Sequence, residues 1–240
     1  MLKTGMLALC VLAAPALAHA QTMQWTNKGF ISVNGGGQFG SHDLTTTSTF
    51  DQYGETATIT TAQKVKSGGL FDIGGAYRVW GNNLLAGVSF THTASTDSVN
   101  ITGAIPDPRF FGSLRNVSAS QGGVKHSETA AHFDAIYMIP LANKIDLGVF
   151  GGPSIFWVSQ DTVGNVTVTE PTPTLTATLQ NVSKTEAGIN VGADLQYVVH
   201  KTFAVGVLAR YTWANATIEG ADKKLTLGGF QLGAGARVRF

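Results

Sequence analysis

A strict two-residue alternation runs through most of this chain and narrows what it can fold into. Ala187, Ile189, Val191, Ala193, Leu195 and Tyr197 stand on one side of a run whose other side is Gly188, Asn190, Gly192, Asp194 and Gln196. Side chains of a β-strand point alternately to opposite faces, so this run reads as a strand with one apolar and one polar face. Runs at 31–39, 69–79, 84–90, 131–139, 145–157, 203–213 and 232–240 repeat the pattern, for eight strands in all. Helical spacing is nearly absent after residue 20. The polar faces carry mostly glycine with single charges, where the outer face of a soluble sandwich would carry Lys, Glu and Thr. Small residues suit a narrow polar lumen. Charged residues are 13% of the chain, about half the roughly 25% of a soluble domain, and glycine is 29 of 240.

The connections alternate in length. Those at 80–83, 140–144 and 199–202 are short, and those at 40–63, 93–127, 159–184 and 214–224 are long and rich in Thr, Ser and Asn. Short turns at one end and long loops at the other mark an outer-membrane barrel. The third long segment has its own alternation, broken at Pro171 and Pro173, and reads as a hairpin extending its flanking strands. A ten-stranded barrel is the alternative, if 50–61 forms an extra membrane hairpin. Aromatic residues sort by strand end. Tyr77, Trp80, Tyr137, Tyr197, Phe203 and Phe240 fall near the short turns, and Phe39, Phe71, Phe90, Trp157, Tyr211 and Trp213 near the long loops. Two such girdles flank the apolar band of a membrane barrel.

The N-terminus reads as an export leader. Lys3 precedes an apolar stretch at 6–17, and Ala18-His19-Ala20 fits an A-x-A cleavage site. The expected division is a signal peptide over 1–20 and one barrel domain over 21–240. Cys10, the only cysteine, falls in the leader, so no disulfide holds the fold. Sixteen basic and fifteen acidic residues nearly cancel without clustering, which argues against a nucleic-acid binder.

A leader, eight amphipathic strands and a last strand at 232–240 ending in Phe240 resemble the OmpA/OmpX-like family of small outer-membrane β-barrels. The resemblance implies an all-β, eight-stranded antiparallel transmembrane barrel in the cell outer membrane. It implies a monomer among outer-membrane lipid and lipopolysaccharide, without a cofactor. It further implies that Phe240 belongs to the signal read by the barrel assembly machinery. No periplasmic peptidoglycan-binding domain is expected beyond Phe240.

Buried polar groups need partners. By depth, Asp72, His132, Asp134 and Arg210 fall near mid-height of the expected lumen, and Asp146, Asp194, Arg78 and Arg237 lie lower. Together they read as an ion network centred on Arg210 that plugs the barrel; the alternative is a gate for small ions. Gly35 to Gly40 fits G-x-G-x-x-G, but no helix follows, as dinucleotide binding requires. Ser41-His42-Asp43 holds the residue types of a triad, yet adjacent residues cannot build one. His126-Ser127-Glu128 reads as a solvated loop cluster, against the alternative of a lipid-modifying site at the rim. No metal site is expected. The leading function is a non-enzymatic surface protein whose loops meet an extracellular ligand, because loops on rigid scaffolds carry binding. A narrow conduit for small or hydrophobic solutes and a lipid-modifying enzyme are the alternatives.

Overall fold

The computed structural model describes residues 25–40, 42–65, 67–170, 173–217 and 224–240. The expected leader lies outside them. Ten strands follow in order: β1 (Gly29–Phe39), β2 (His42–Gln52), β3 (Glu55–Val65), β4 (Gly68–Trp80), β5 (Leu84–Asp107), β6 (Phe110–Ala142), β7 (Ile145–Thr169), β8 (Thr174–His200), β9 (Phe203–Ala216) and β10 (Leu225–Arg239). All pairings are antiparallel. The sheet runs β5-β4-β1-β10-β9-β8-β7-β6 and closes through β5–β6, a ring of eight strands. Closure removes the unpaired edges that an open sheet would expose.

The alternation does what the sequence implies. Ile31, Val33, Phe71, Ile73, Val191 and Leu195 face outward and are exposed, while Asn34, Asp72, Asp194 and Gln196 are buried inside. The aromatic residues of both expected girdles are exposed on the outer surface. Glycine on the inner face also lets the strands curve tightly. A Cβ at Gly235 would sit 1.8 Å from the Val33 carbonyl oxygen, and one at Gly36 would sit 2.0 Å from that of Leu232.

β2 and β3 join through Tyr53 and Gly54, both at positive φ, as in a tight two-residue hairpin. This hairpin stands outside the ring, so it adds no membrane strands. β4 stops pairing with β5 at Gly69↔Ala94, and further along β3 takes its place, pairing Thr58–Gln63 with Val99–Ala104.

The segment at 93–127, expected to be a loop, is a hairpin of two strands with its turn at 108–109. β5 and β6 pair on to Asp107↔Phe110. At 24 and 33 residues they far exceed the ~9–11 residues that cross a membrane. β7 and β8 likewise pair to Thr169↔Thr174, as their alternation implied. β6 and β7 part after His126↔Gln160. Beyond that point a four-stranded sheet, β2-β3-β5-β6, faces the β7–β8 hairpin across an apolar core. Ala57, Ile59, Val99, Ile101, Ile105, Val124 and Leu175 form this core. Each isoleucine so enclosed contributes on the order of 1.5–3 kcal/mol, so the extension is a packed body.

Candidate functional site: the lumen and the hairpin extension

The lumen is layered. At its upper end His126 is buried. Its Nε2 lies 2.9 Å from Glu128 Oε1, and its Nδ1 lies 2.7 Å from Gln160 Oε1. Gln160 Nε2 donates to the Asp161 carbonyl, which fixes Oε1 as the acceptor. Both ring nitrogens therefore have an oxygen partner. Glu128 Oε2 accepts from Gln38 Nε2 and from the Gly228 amide. Gln231 Nε2 in turn donates to Gln38 Oε1. This node ties β6, β7, β1 and β10 together at the point where β6 and β7 separate. His126 and Glu128 are thus lumen residues, not a solvated loop cluster. Residues 126, 128, 130, 132 and 134 share one strand face, and following that parity upward from His132 places both inside.

At mid-height Arg210 Nη1 donates to Asp72 Oδ2 at 3.0 Å and Nη2 donates to Ser89 Oγ at 2.9 Å. Asn34 Nδ2 donates to the other Asp72 oxygen at 2.7 Å. The Arg210 guanidinium lies 5.3 Å from the centre of the Phe150 ring. His132 and Asp134 share the depth but not the ion pair. His132 bonds Thr91 Oγ1 and Ser154 Oγ, with its ring edge against Phe156. Asp134 forms no ion pair among the described residues, and its Oδ1 has no hydrogen-bond partner. A void of about 40 Å³ borders Asp72 and Arg210, room for a few waters.

Below lies an apolar belt of Phe30, Leu85, Ile136, Met138, Phe150 and Leu208. Under the belt Arg237 pairs with Asp194, whose Oδ2 also accepts from Gln196 Nε2. Arg239 pairs with Asp146 at 2.7 Å. Trp25 fills the short-turn end, almost fully buried, with the Arg239 guanidinium 4.3 Å from its ring centre. Arg78, expected in the network, makes no ion pair among the described residues. Its Nη1 donates to the Trp25 carbonyl at 3.3 Å instead. Nothing in the alternation signals Trp25, which precedes the first strand. Phe240 closes the ring: its carbonyl accepts from the Lys28 and Gly29 amides, and its amide donates to the Gly29 carbonyl.

A second polar cluster lies at the far end of the extension. Arg115 grips Glu170 with both terminal nitrogens and donates to the Pro106 carbonyl. Arg109 binds Asp107 through its backbone amide and its guanidinium. The Arg109 side-chain hydrogen bond holds the Asp107 carboxyl below its ordinary value, with the Arg109 backbone amide adding to it. Arg115 does the same for Glu170. Among the described residues no group of three or more His, Cys, Asp and Glu side chains could hold a metal.

A closed ring with an apolar exterior and a charged, packed interior is a membrane barrel, and the chain's sequence agrees. The outer membrane protein beta-barrel domain family matches residues 4–237. The chain belongs to that family. No match is found among curated proteins. Among solved structures, the outer membrane protease OmpT from Escherichia coli aligns over 92% of this chain and 100% of its own, at 10% identity and a TM-score of 0.50. Neisserial surface protein A aligns over 88% and 97%, at 16% identity and 0.47. Ail, the attachment invasion locus protein of Yersinia pestis, aligns over 88% and 99%, at 14% identity and 0.39. At such identities the likeness concerns the fold alone. As a transmembrane barrel of this family, the chain has its short turns on the periplasmic side and its long hairpins outside.

Proposed function

We propose that this protein is a non-enzymatic barrel of the cell outer membrane that holds a rigid extracellular β-structure for surface contact. The observation that carries this reading is the second core. A barrel that needed only to seal itself would turn its strands back at the membrane surface. Here β5 to β8 run on, and the β2–β3 hairpin joins them around Ile59, Ile101 and Ile105. Outer-membrane lipid and lipopolysaccharide surround the band, the assembly machinery reads the end at Phe240, and an extracellular ligand meets the extension. The packed lumen, with the belt and Trp25 below Arg210, supports a barrel that conducts little. His126 has both ring nitrogens engaged, which leaves neither to activate a nucleophile and supports a non-enzymatic role.

The test replaces residues 97–124 by an Asn-Gly turn between Thr96 and Lys125, which already face each other across β5 and β6. The shortened barrel should still assemble and shift on heating, while cells that carry it lose attachment to host or partner surfaces. Unchanged attachment would count against the reading. Large stable steps from the intact protein in planar bilayers would point to a conduit, and altered lipid A masses on expression to an enzyme.

A further inference from the structure

We propose that the tip of the β5–β6 hairpin is a lipid-docking element, which inserts into the phospholipid bilayer of an apposed membrane. The proposal rests on the surface-contact reading above and names its partner. Phe111 is 87% exposed, Phe110 63% and Leu114 57%, and Tyr53 on the adjoining β2–β3 turn is 52% exposed. Every other exposed large hydrophobic among the described residues belongs to the outer wall of the barrel, where lipid covers it. Elsewhere in the extension such side chains turn into the core. These four stand alone at the far end. From the last β4–β5 pair, Gly69↔Ala94, the strand runs on the order of 40 Å to Asp107, so the barrel's own membrane does not reach them.

The tip is preorganised. Glu55 Oε1 accepts from the Gly112 amide at 2.7 Å and joins the two turns. Arg109 is tied to Asp107, and Arg115 to Glu170 and the Pro106 carbonyl. A contact element held in its bound shape loses little freedom on binding.

The chemistry of the tip selects the partner. Those bonds engage the Glu55, Asp107, Arg115 and Glu170 side chains within the tip. What faces out is mostly apolar surface, with the Arg109 guanidinium, 74% exposed and 5.7 Å from the Phe110 ring centre, and the exposed Asp51 and Ser113 at its margin. A standard protein interface takes about 800 Å² from each side and about ten hydrogen bonds. A few aromatic and leucine side chains on a convex turn supply less area than that and almost no donors. A bilayer asks for neither. It yields to a convex apolar tip, accommodates aromatic rings at its interface and offers phosphate to an arginine. Asp51, Glu55, Asp107 and Glu170 outnumber Arg109 and Arg115 around the tip, so attraction to anionic lipid is not the driving force. Phosphatidylcholine suffices, and many copies on one cell raise a weak contact by avidity.

The test labels Ser113→Cys, in a Cys10→Ser background, with an environment-sensitive fluorophore. The protein sits in nanodiscs, and phosphatidylcholine vesicles with brominated acyl chains are added. The emission should shift to the blue and be quenched as lipid rises, nearly unchanged between low and high salt. Phe110→Ser with Phe111→Ser should move the titration at least tenfold to higher lipid, while Phe111→Trp keeps it. Absence of quenching, or a double variant that titrates like the parent, overturns the proposal. If the double variant lowers cell attachment while vesicles leave the emission unchanged, the partner is a protein groove: the lipid assignment falls and the surface-contact reading stands.

Discussion

Arg210 on β9 donates to Asp72 on β4 across the lumen, Nη1 to Oδ2 at 3.0 Å, with both side chains almost wholly buried. Removing one member of such a pair leaves an uncompensated charge and costs about 3–5 kcal/mol. Arg210→Ala should therefore lower the urea midpoint of the folded barrel clearly. Asp72→Ala made together with it should recover part of the loss, because the stranded carboxylate is gone. The belt at Phe30, Met138 and Phe150 is untouched, so bilayer conductance should stay near baseline. An unchanged midpoint for Arg210→Ala would show that the pair does not hold these charges.

The ring of strands is legible because period two leaves no alternative for a run like 187–197, and because inward parity places Asp72, Asp194 and Arg210 correctly. The same rule found the β7–β8 half of the extension and missed the β2–β3 and β5–β6 half. On β5 and β6, Ile101 and Val117 alternate with Thr102 and Ser118, and a hydroxyl-rich strand reads like a loop until the opposing apolar core is seen. β-branched threonine is at home in strands, so the composition fits both. His126 and Glu128 are hidden the same way, because the hydroxyl- and glycine-rich run before Ala130 masks the continuation of the strand and its parity. Arg78 failed for another reason. Its parity is inward, but its partner is the Trp25 carbonyl, whose tertiary placement no local pattern encodes.

Trp25 closes the periplasmic end, between the Arg239 guanidinium and the apolar belt. Truncating a buried tryptophan costs about 3–5 kcal/mol. Trp25→Ala should lower thermal stability and remove the ring against which the Arg239 guanidinium lies. Hydrogen exchange should speed up at Lys28, Gly29 and Arg78, whose amides donate to the Phe240 and Lys28 carbonyls beside it. Unaltered exchange there would mean that the indole only fills space.

Phe240 contributes backbone bonds to Lys28 and Gly29, while its ring lies half exposed on the outer wall. Its deletion removes little buried apolar area, so the loss should fall on assembly more than on stability. Pulse-labelled cells should accumulate the heat-modifiable form more slowly, while protein refolded in detergent unfolds near the parent's midpoint. Normal assembly kinetics would count against a role for this terminus as a signal.

Acid should loosen the tip of the extension before the barrel. Asp107 and Glu170 have ordinary values of 3.8 and 4.5, and hydrogen bonds from Arg109 and Arg115 respectively hold both lower in the folded state. A carboxylate depressed by folding stabilises the fold above its unfolded value, and that contribution fades as pH falls through the folded value. The ion pairs should thus be intact at neutral pH and lost progressively below about pH 4. Protease cleavage between Pro108 and Leu114 is the readout, because Asp107 braces this turn through Arg109 and Arg115 ties it to Glu170 at the end of β7. Cleavage in an acid-active protease should rise as pH drops through this window. Arg115→Gln should raise cleavage at neutral pH and flatten the dependence, since half of the network is then absent at every pH. Equal protection at pH 6 and pH 3 would show that the tip is held by the hairpin ladder alone.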